Sequence, residues 1–158
     1  INISARSAPA GLALVEIYDL SGVTLGQKLS NLSTRAQIGG GRENLIAGVV
    51  VAGVTPKRVL IRAAGPALES FGLTGVLRRL QLTLHAGDTI IAKNNSWSTS
   101  ADSAAIAQAA AQAGAFAFAP GSADAALLVN LAPGTYTAQV SSLDGTSGVA
   151  LIEVYEIP

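Results

Sequence analysis

Alternating apolar and polar residues predict β-strands along most of the chain. From Leu80 to His85 three leucines share one face, and Gln81, Thr83 and His85 share the other. Other strand-like runs are 12–20, 45–51, 58–62, 89–92, 126–131, 135–141 and 149–157. Turn residues separate these runs, for example at Thr55-Pro56 and Asp144-Gly145. Short strands at this spacing predict an all-β fold, an antiparallel β-sandwich or jelly roll.

The two ends of the chain repeat one another. Residues 1–20 align with residues 138–157 at an offset of 137. Six of the twenty positions are identical: Ser4/Ser141, Gly11/Gly148, Ala13/Ala150, Leu14/Leu151, Glu16/Glu153 and Tyr18/Tyr155. We interpret both segments as β-hairpins. The prediction is an N-terminal hairpin arm (1–20) that duplicates a C-terminal hairpin, a linker (21–30) and a sandwich domain (31–158). Such a layout fits an excerpt of a tandem array or a subunit that offers a hairpin to a neighbour.

Alanine dominates one segment that breaks the strand pattern. Eleven of the nineteen residues from Ala101 to Ala119 are alanine. This predicts one short helix over 101–113, with Ser100 as N-cap and Gly114 at its end. Two roles are open for it: a cover over one edge of the sandwich, or a packing surface between subunits.

Low charge restricts the possible partners. Charged residues make up 13% of the chain, against about 25% usually, and the mean hydropathy is +0.44. We therefore expect another protein to cover much of the surface. No apolar run approaches the ~20 residues of a membrane span. Ten Lys and Arg balance ten Asp and Glu, which disfavours nucleic acid. Methionine is absent, and a processed N-terminus fits export, so we expect a secreted, extracellular protein.

The residues that could carry chemistry are few. There is no cysteine, and the single histidine, His85, lies on the polar face of a predicted strand. We interpret it as an exposed strand residue. Oxygen ligands for calcium could come from Asp88, Asn94, Asn95 and Asp102, but no loop alternates acidic ligands. Ordinary turn chemistry is the favoured interpretation, and we expect no enzyme activity, cofactor or metal site. Carbohydrate binding has weak support, because aromatic residues total 4%, and we expect Trp97 to be a core or edge anchor.

One structural ion pair is predicted. Glu16 and its counterpart Glu153 each lie in an otherwise apolar strand, where an unpaired carboxylate is costly. Alternation places Arg58 and Arg62 on the same face of another strand. The simplest way to compensate the charge of these carboxylates is for Arg62 to pair with one or both glutamates.

The chain resembles a β-sandwich repeat of large secreted or cell-surface proteins from environmental bacteria. The matching segments are 31–35, 45–53, 55–62 with 64–66, 82–97, 131–136 and 148–155. The second half is more weakly similar to the bacterial pre-peptidase C-terminal jelly roll. The resemblance implies an extracellular, non-enzymatic module that is often arranged in tandem. The turn at 86–88 is shorter than the Asp-Gly-rich turn of that family.

Taken together, these features predict a structural subunit that polymerises with itself into an extracellular filament or tube. Strand or hairpin docking between subunits would be head-to-tail, which gives rings or open filaments. The apolar docking residues of the arm are Leu12, Leu14, Val15, Ile17 and Tyr18. The alternative is a binding or adhesion module of a long tandem-repeat secreted protein, with the first hairpin belonging to the preceding repeat.

Overall fold

The computed structural model of the chain describes residues 13–15, 30–39 and 43–158. Within these residues, eight strands form two four-stranded sheets, in which all neighbouring strands are antiparallel. The strands are β1 (Asn31–Ile38), β2 (Leu45–Val51), β3 (Lys57–Ala64), β4 (Leu80–Ala86), β5 (Thr89–Asn94), β6 (Ala125–Leu131), β7 (Gly134–Ser142) and β8 (Gly148–Ile157). The first sheet has the order β1-β8-β3-β6, and the second has the order β2-β7-β4-β5. The predicted antiparallel β-sandwich is confirmed.

Alternation along the strands builds the core between the sheets. The leucines of β4 at positions 80, 82 and 84 are fully buried, as the sequence pattern predicts. They pack in one cluster with Ile61 and Ala63 of β3 and with Ile152 of β8. This arrangement removes one face of each sheet from water, which is the main favourable contribution to folding.

A third layer covers the outer face of the first sheet. It consists of the helix α1 (Ser103–Gln112), two short 3-10 helices (Pro66–Phe71 and Trp97–Thr99) and the loop that follows α1. The second core cluster combines Leu60 and Tyr155 of the sheet with Trp97 and Ile106 of this layer. Because β3 has this layer on one side and the second sheet on the other, every residue from Val59 to Ala64 is buried.

The helix begins slightly later than predicted. Asp102 occupies the N-cap position, and its backbone N–H donates to Ser100 Oγ at 3.2 Å. Gly114 follows the helix with a φ of +69°, a left-handed conformation that suits glycine. Ile106 and Ala109 are buried against the sheet, so α1 covers the face of the sheet.

The C-terminal segment 138–157 is not a hairpin, and that prediction is wrong. β7 pairs with β2 and β4 in the second sheet, whereas β8 pairs with β1 and β3 in the first. The connection between them crosses from one sheet to the other. It is ordered by Asp144, whose Oδ1 accepts hydrogen bonds from Thr146 N–H and Thr146 Oγ1 at 3.1 and 2.6 Å. Two strands joined by a short turn have the same local pattern whether they pair or cross the sandwich, so the sequence does not distinguish the two forms.

The predicted N-terminal arm and linker lie almost entirely outside the described residues. Only Ala13–Val15 of the arm are described, and they are exposed and belong to no strand. The arm therefore stays a prediction, as does the linker, of which only Ser30 is described. Among the described residues, no helix is long and apolar enough to cross a membrane.

Candidate functional site

A buried ion pair joins the middle strands of the first sheet. Register places Arg62 of β3 directly opposite Glu153 of β8, on the face that the helical layer covers. Arg62 Nη1 lies 3.4 Å from Glu153 Oε2, and the two residues are 1% and 5% exposed. The Tyr155 hydroxyl donates to Glu153 Oε1 at 2.8 Å. Glu16, the other glutamate expected near Arg62, lies outside the described residues.

The loop after α1 encloses the guanidinium of Arg62. Arg62 Nη2 donates to the carbonyl of Phe116 at 2.6 Å. Its Cζ lies 4.0 Å from the ring centre of Phe118 and 4.6 Å from that of Phe116, which adds cation–π attraction. Burial lowers the pKa of Arg62, and the nearby charge of Glu153 opposes that shift. These contacts describe a structural anchor that holds the loop against the sheet.

Asp124 is a second buried carboxylate, and it ties three segments together. Its Oδ1 accepts hydrogen bonds from the backbone N–H groups of Gly65 and Ala67 at 2.8 and 3.2 Å. Its backbone carbonyl accepts from Trp97 N–H at 2.9 Å. Trp97 itself is buried, and its Nε1 donates to Ala119 O at 3.2 Å, so it anchors the helical layer.

Two cavities lie in the helical layer. The first, of about 100 Å³, has Arg62, Trp97 and Phe118 among its walls, with alanines of α1 around them. The second, of about 250 Å³, is bounded by the 3-10 helix at Pro66 and by residues 117–124. Neither wall contains a histidine or a lysine.

The remaining candidates for chemistry are dispersed. His85 lies on β4 of the second sheet and is half-buried, not exposed as predicted, with its Nε2 3.2 Å from Thr83 Oγ1. Asn94 Oδ1, one of the possible calcium ligands, accepts from Ala126 N–H at 3.2 Å. In the part of the chain that is described, no three His, Cys, Asp or Glu residues are grouped so that they could hold a metal ion.

Ionisation of Tyr155 is expected to lower the stability of the protein at alkaline pH. Burial first, and then its hydrogen bond to Glu153 and the charge of that carboxylate, raise the pKa of Tyr155 from about 10 to about 12. The folded protein holds the phenolic proton more tightly than the unfolded chain does, so the protonated hydroxyl contributes to the free energy of unfolding. This contribution is complete below pH ~10 and is lost as the pH rises through ~12.

We therefore expect the urea midpoint of unfolding to fall between pH ~10 and ~12 more steeply for the native chain than for Tyr155→Phe. The variant lacks the titrating hydroxyl, and all other residues are the same in both proteins. Parallel pH profiles of the two proteins would show that Tyr155 ionises as it does in the unfolded chain.

The edges of the two sheets offer a different kind of site. β1 and β6 are the outer strands of the first sheet, and β2 and β5 are those of the second. No residue from Leu45 to Val54 is charged, and Ile46 and Val50 of β2 point outward with 55% and 73% of their surface exposed. Sheet edges that are not paired usually carry charges or proline to prevent association. β2 carries neither, and β1 carries a single charge, Arg35.

The described arm residues are also apolar and exposed. Leu14 is 82% exposed and Val15 is 44% exposed. Leu12, Ile17 and Tyr18 lie outside the described residues. Among the described residues, Leu14 is therefore exposed and unpacked, and the outer strands of both sheets each have a partner strand on one side only.

The sequence pattern did not reveal one strand, β1, or three loop residues, Phe116, Phe118 and Asp124. β1 was not among the predicted strands, although Leu32 and Ala36 alternate with Ser33, Arg35 and Gln37. Phe116, Phe118 and Asp124 lie in a loop without periodicity, and their contacts are with residues more than 50 positions away or on other elements. The alternation in β1 is a signal that was present; for the loop residues the sequence carries none.

Comparison with known proteins adds a structural likeness. No family model matches the sequence, and no curated protein matches it significantly. The fold is similar to the pre-peptidase C-terminal domain of collagenase from Bacillus anthracis, with 15% identity, a TM-score of 0.47, and coverage of 79% of this chain and 89% of that one. That domain belongs to the class that the second half of the sequence resembles. The stronger resemblance, to a repeat of large secreted proteins, stays a prediction.

Proposed function

We propose that this β-sandwich is a structural, non-catalytic subunit that assembles with further copies of itself outside the cell. The observation that carries the proposal is that one chain has both the exposed apolar residues Leu14 and Val15 and outer strands with a free side among the described residues. Leu14 is not covered by its own chain, so its apolar side chain is removed from water only if another molecule packs on it. Strand addition from another copy would cover the segment and satisfy the backbone groups of an edge strand.

The surface composition supports association between identical copies. Ten positive and ten negative residues give no net charge, and only 13% of residues are charged. Copies of such a protein repel one another weakly, which favours close approach. Because the donating segment and the receiving edge are different surfaces, the contact is head-to-tail, and its repetition gives a ring, filament or tube.

The second candidate is a binding or adhesion module within a long secreted protein. It is supported by the sequence of residues 11–20, which repeats the pattern of β8. In a tandem array those residues would be the last strand of the preceding repeat. Partners other than a second copy, including carbohydrate, belong to this alternative.

Removal of the N-terminal segment tests the proposal. The chain shortened to residues 31–158 retains all eight strands, so we expect it to fold as the same sandwich. We also expect it to stay monomeric at concentrations where the full chain polymerises, because it lacks the donating strand. Light scattering and electron microscopy measure assembly, and circular dichroism measures folding.

Two results would contradict the proposal. If residues 31–158 form the same polymer as the full chain, the N-terminal segment is not the assembly element. If the full chain is itself monomeric at high concentration, the module alternative replaces self-assembly.

A further inference from the structure

On the basis of the self-assembly proposed above, we infer that the N-terminal segment of one copy docks along the free side of β1 of another copy, with Val15 opposite Ala36. The contact would extend the first sheet by one antiparallel strand. Both residues are among those that the structure describes, and Val15 is exposed in this copy.

The pairing of β8 explains why β1 is the receiving strand. β8 lies between β1 and β3 and pairs with both. β3 has no free side, since β6 occupies its other edge, whereas β1 has a partner on one side only among the described strands. Residues 11–20 repeat the sequence pattern of β8. β1 is a strand with which β8 already pairs. Its free side is therefore the expected partner for residues that share the pattern of β8.

The two faces of β1 restrict the register. Ala36 and Ile38 face the core between the sheets, while Arg35 and Gln37 point away and are exposed. In β8, Ile152 faces the same core and Leu151 faces the helical layer. Val15 aligns with Ile152, so it must share a face with Ala36. A slip of one residue would exchange the two faces of the docked strand and bring the carboxylate of Glu16 to the core side.

Charge selects one register from those that remain. Arg35 is the single charged residue of β1, and Glu16 is the single charged residue between Gly11 and Tyr18. In the sandwich, the equivalent Glu153 lies directly across from Arg62. Placing Glu16 across from Arg35 repeats that arrangement, because opposite charges on facing positions stabilise paired strands. This register sets Val15 opposite Ala36 and Leu14 opposite Gln37.

The contact is assigned to a second copy because of how the segment lies in this one. Ala13–Val15 form no strand, and most of the Leu14 surface is open to water. Residues 21–30 are numerous enough to let the segment fold back on its own β1. An experiment must therefore distinguish a bond between copies from a bond within one.

Cysteine cross-linking makes that distinction, because the chain has no cysteine of its own. The two matched variants are Val15→Cys with Ala36→Cys, and Leu14→Cys with Gln37→Cys. The two mismatched controls are Val15→Cys with Gln37→Cys, and Leu14→Cys with Ala36→Cys, whose Cβ atoms would point to opposite faces. A disulfide needs Cβ atoms about 3.5–4.5 Å apart.

After mild oxidation of the full chain, we expect the matched variants to give a ladder of covalent oligomers on a denaturing, non-reducing gel. The yield should exceed that of the mismatched controls by about tenfold or more, because disulfide geometry is specific. Two matched pairs on opposite faces keep the test valid if one variant fails to fold.

Each other outcome overturns the inference. A disulfide within single chains places the docked strand on the same copy. Polymers that form normally but cross-link equally in matched and mismatched variants show that the edge or the register is different, while self-assembly stands. A native chain that forms no polymer removes the proposed function itself.

Discussion

Replacing Glu153 with alanine is expected to lower the free energy of unfolding by about 3–5 kcal/mol, because it leaves the buried guanidinium of Arg62 without its counter-charge. Arg62 would keep its hydrogen bond to Phe116 O and its two aromatic neighbours. Neither supplies a negative charge, and the buried carboxylate of Asp124 acts on Arg62 more weakly than Glu153 does. Urea unfolding followed by circular dichroism measures the change.

The matched control is Glu69→Ala, which breaks an ion pair at the surface. Glu69 pairs with Arg78, and the two side chains are 42% and 71% exposed. Exposed pairs contribute about 0–1 kcal/mol, so this variant should unfold almost as the native chain does. If Glu153→Ala costs no more than Glu69→Ala, the carbonyl and rings around Arg62 are sufficient to hold its charge.

A double replacement adds a further check on the same pair. Arg62→Met with Glu153→Leu removes both charges together, and we expect it to be more stable than Glu153→Ala alone. Recovery should be partial, since Phe116 O loses its donor and the Tyr155 hydroxyl loses its acceptor.

The second large effect is expected at Gly148, the first residue of β8. A Cβ there would lie 2.6 Å from Leu77 Cα and 2.7 Å from the carbonyl carbon of Val76, which are backbone atoms that do not move easily. The approach is fixed by two hydrogen bonds of 2.8 Å, from Leu77 N–H to Val149 O and from Val149 N–H to Gly75 O. Gly148→Ala should therefore cost about 2–3 kcal/mol through overpacking.

Gly48→Ala is the control for that prediction. Gly48 lies in β2 with no atom within 4 Å of the added Cβ and without a left-handed backbone. Its replacement should change stability by no more than about 0.5 kcal/mol. Equal midpoints of urea unfolding for both variants would mean that the segment 75–77 moves away from β8 at little cost.

The sequence predicted most of the strands because their two faces differ in polarity. In β4 the leucines that alternate with Gln81 and Thr83 are fully buried, whereas Thr83, on the predicted polar face, is also buried at 7% exposure. In β3 the alternation between Val59 and Ala64 is weak, since both faces are covered and both can be apolar. There the informative residue is the exception, Arg62, whose charge requires a partner wherever it is buried.

Long-range pairing limited the rest of the prediction. The turn at Asp144-Gly145 predicts that the chain reverses, but not whether the next strand joins the same sheet. The segment from Phe116 to Asp124 has no regular period, and its residues are held by Arg62, Gly65 and Trp97, which are distant in sequence. Such contacts follow from the assembled layers and leave no local pattern.

The position of β8 between β1 and β3 also determines when the first sheet can form during synthesis. The two strands that it joins leave the ribosome more than 80 residues before β8 does. These two strands do not pair directly with one another, so the first sheet cannot complete its pairing until β8 has been synthesised. Native pairing of this kind is non-local and therefore slow. Until β8 is made, β1 and β3 lack the strand that joins them, while residues 11–20, which repeat the sequence pattern of β8, have already been synthesised.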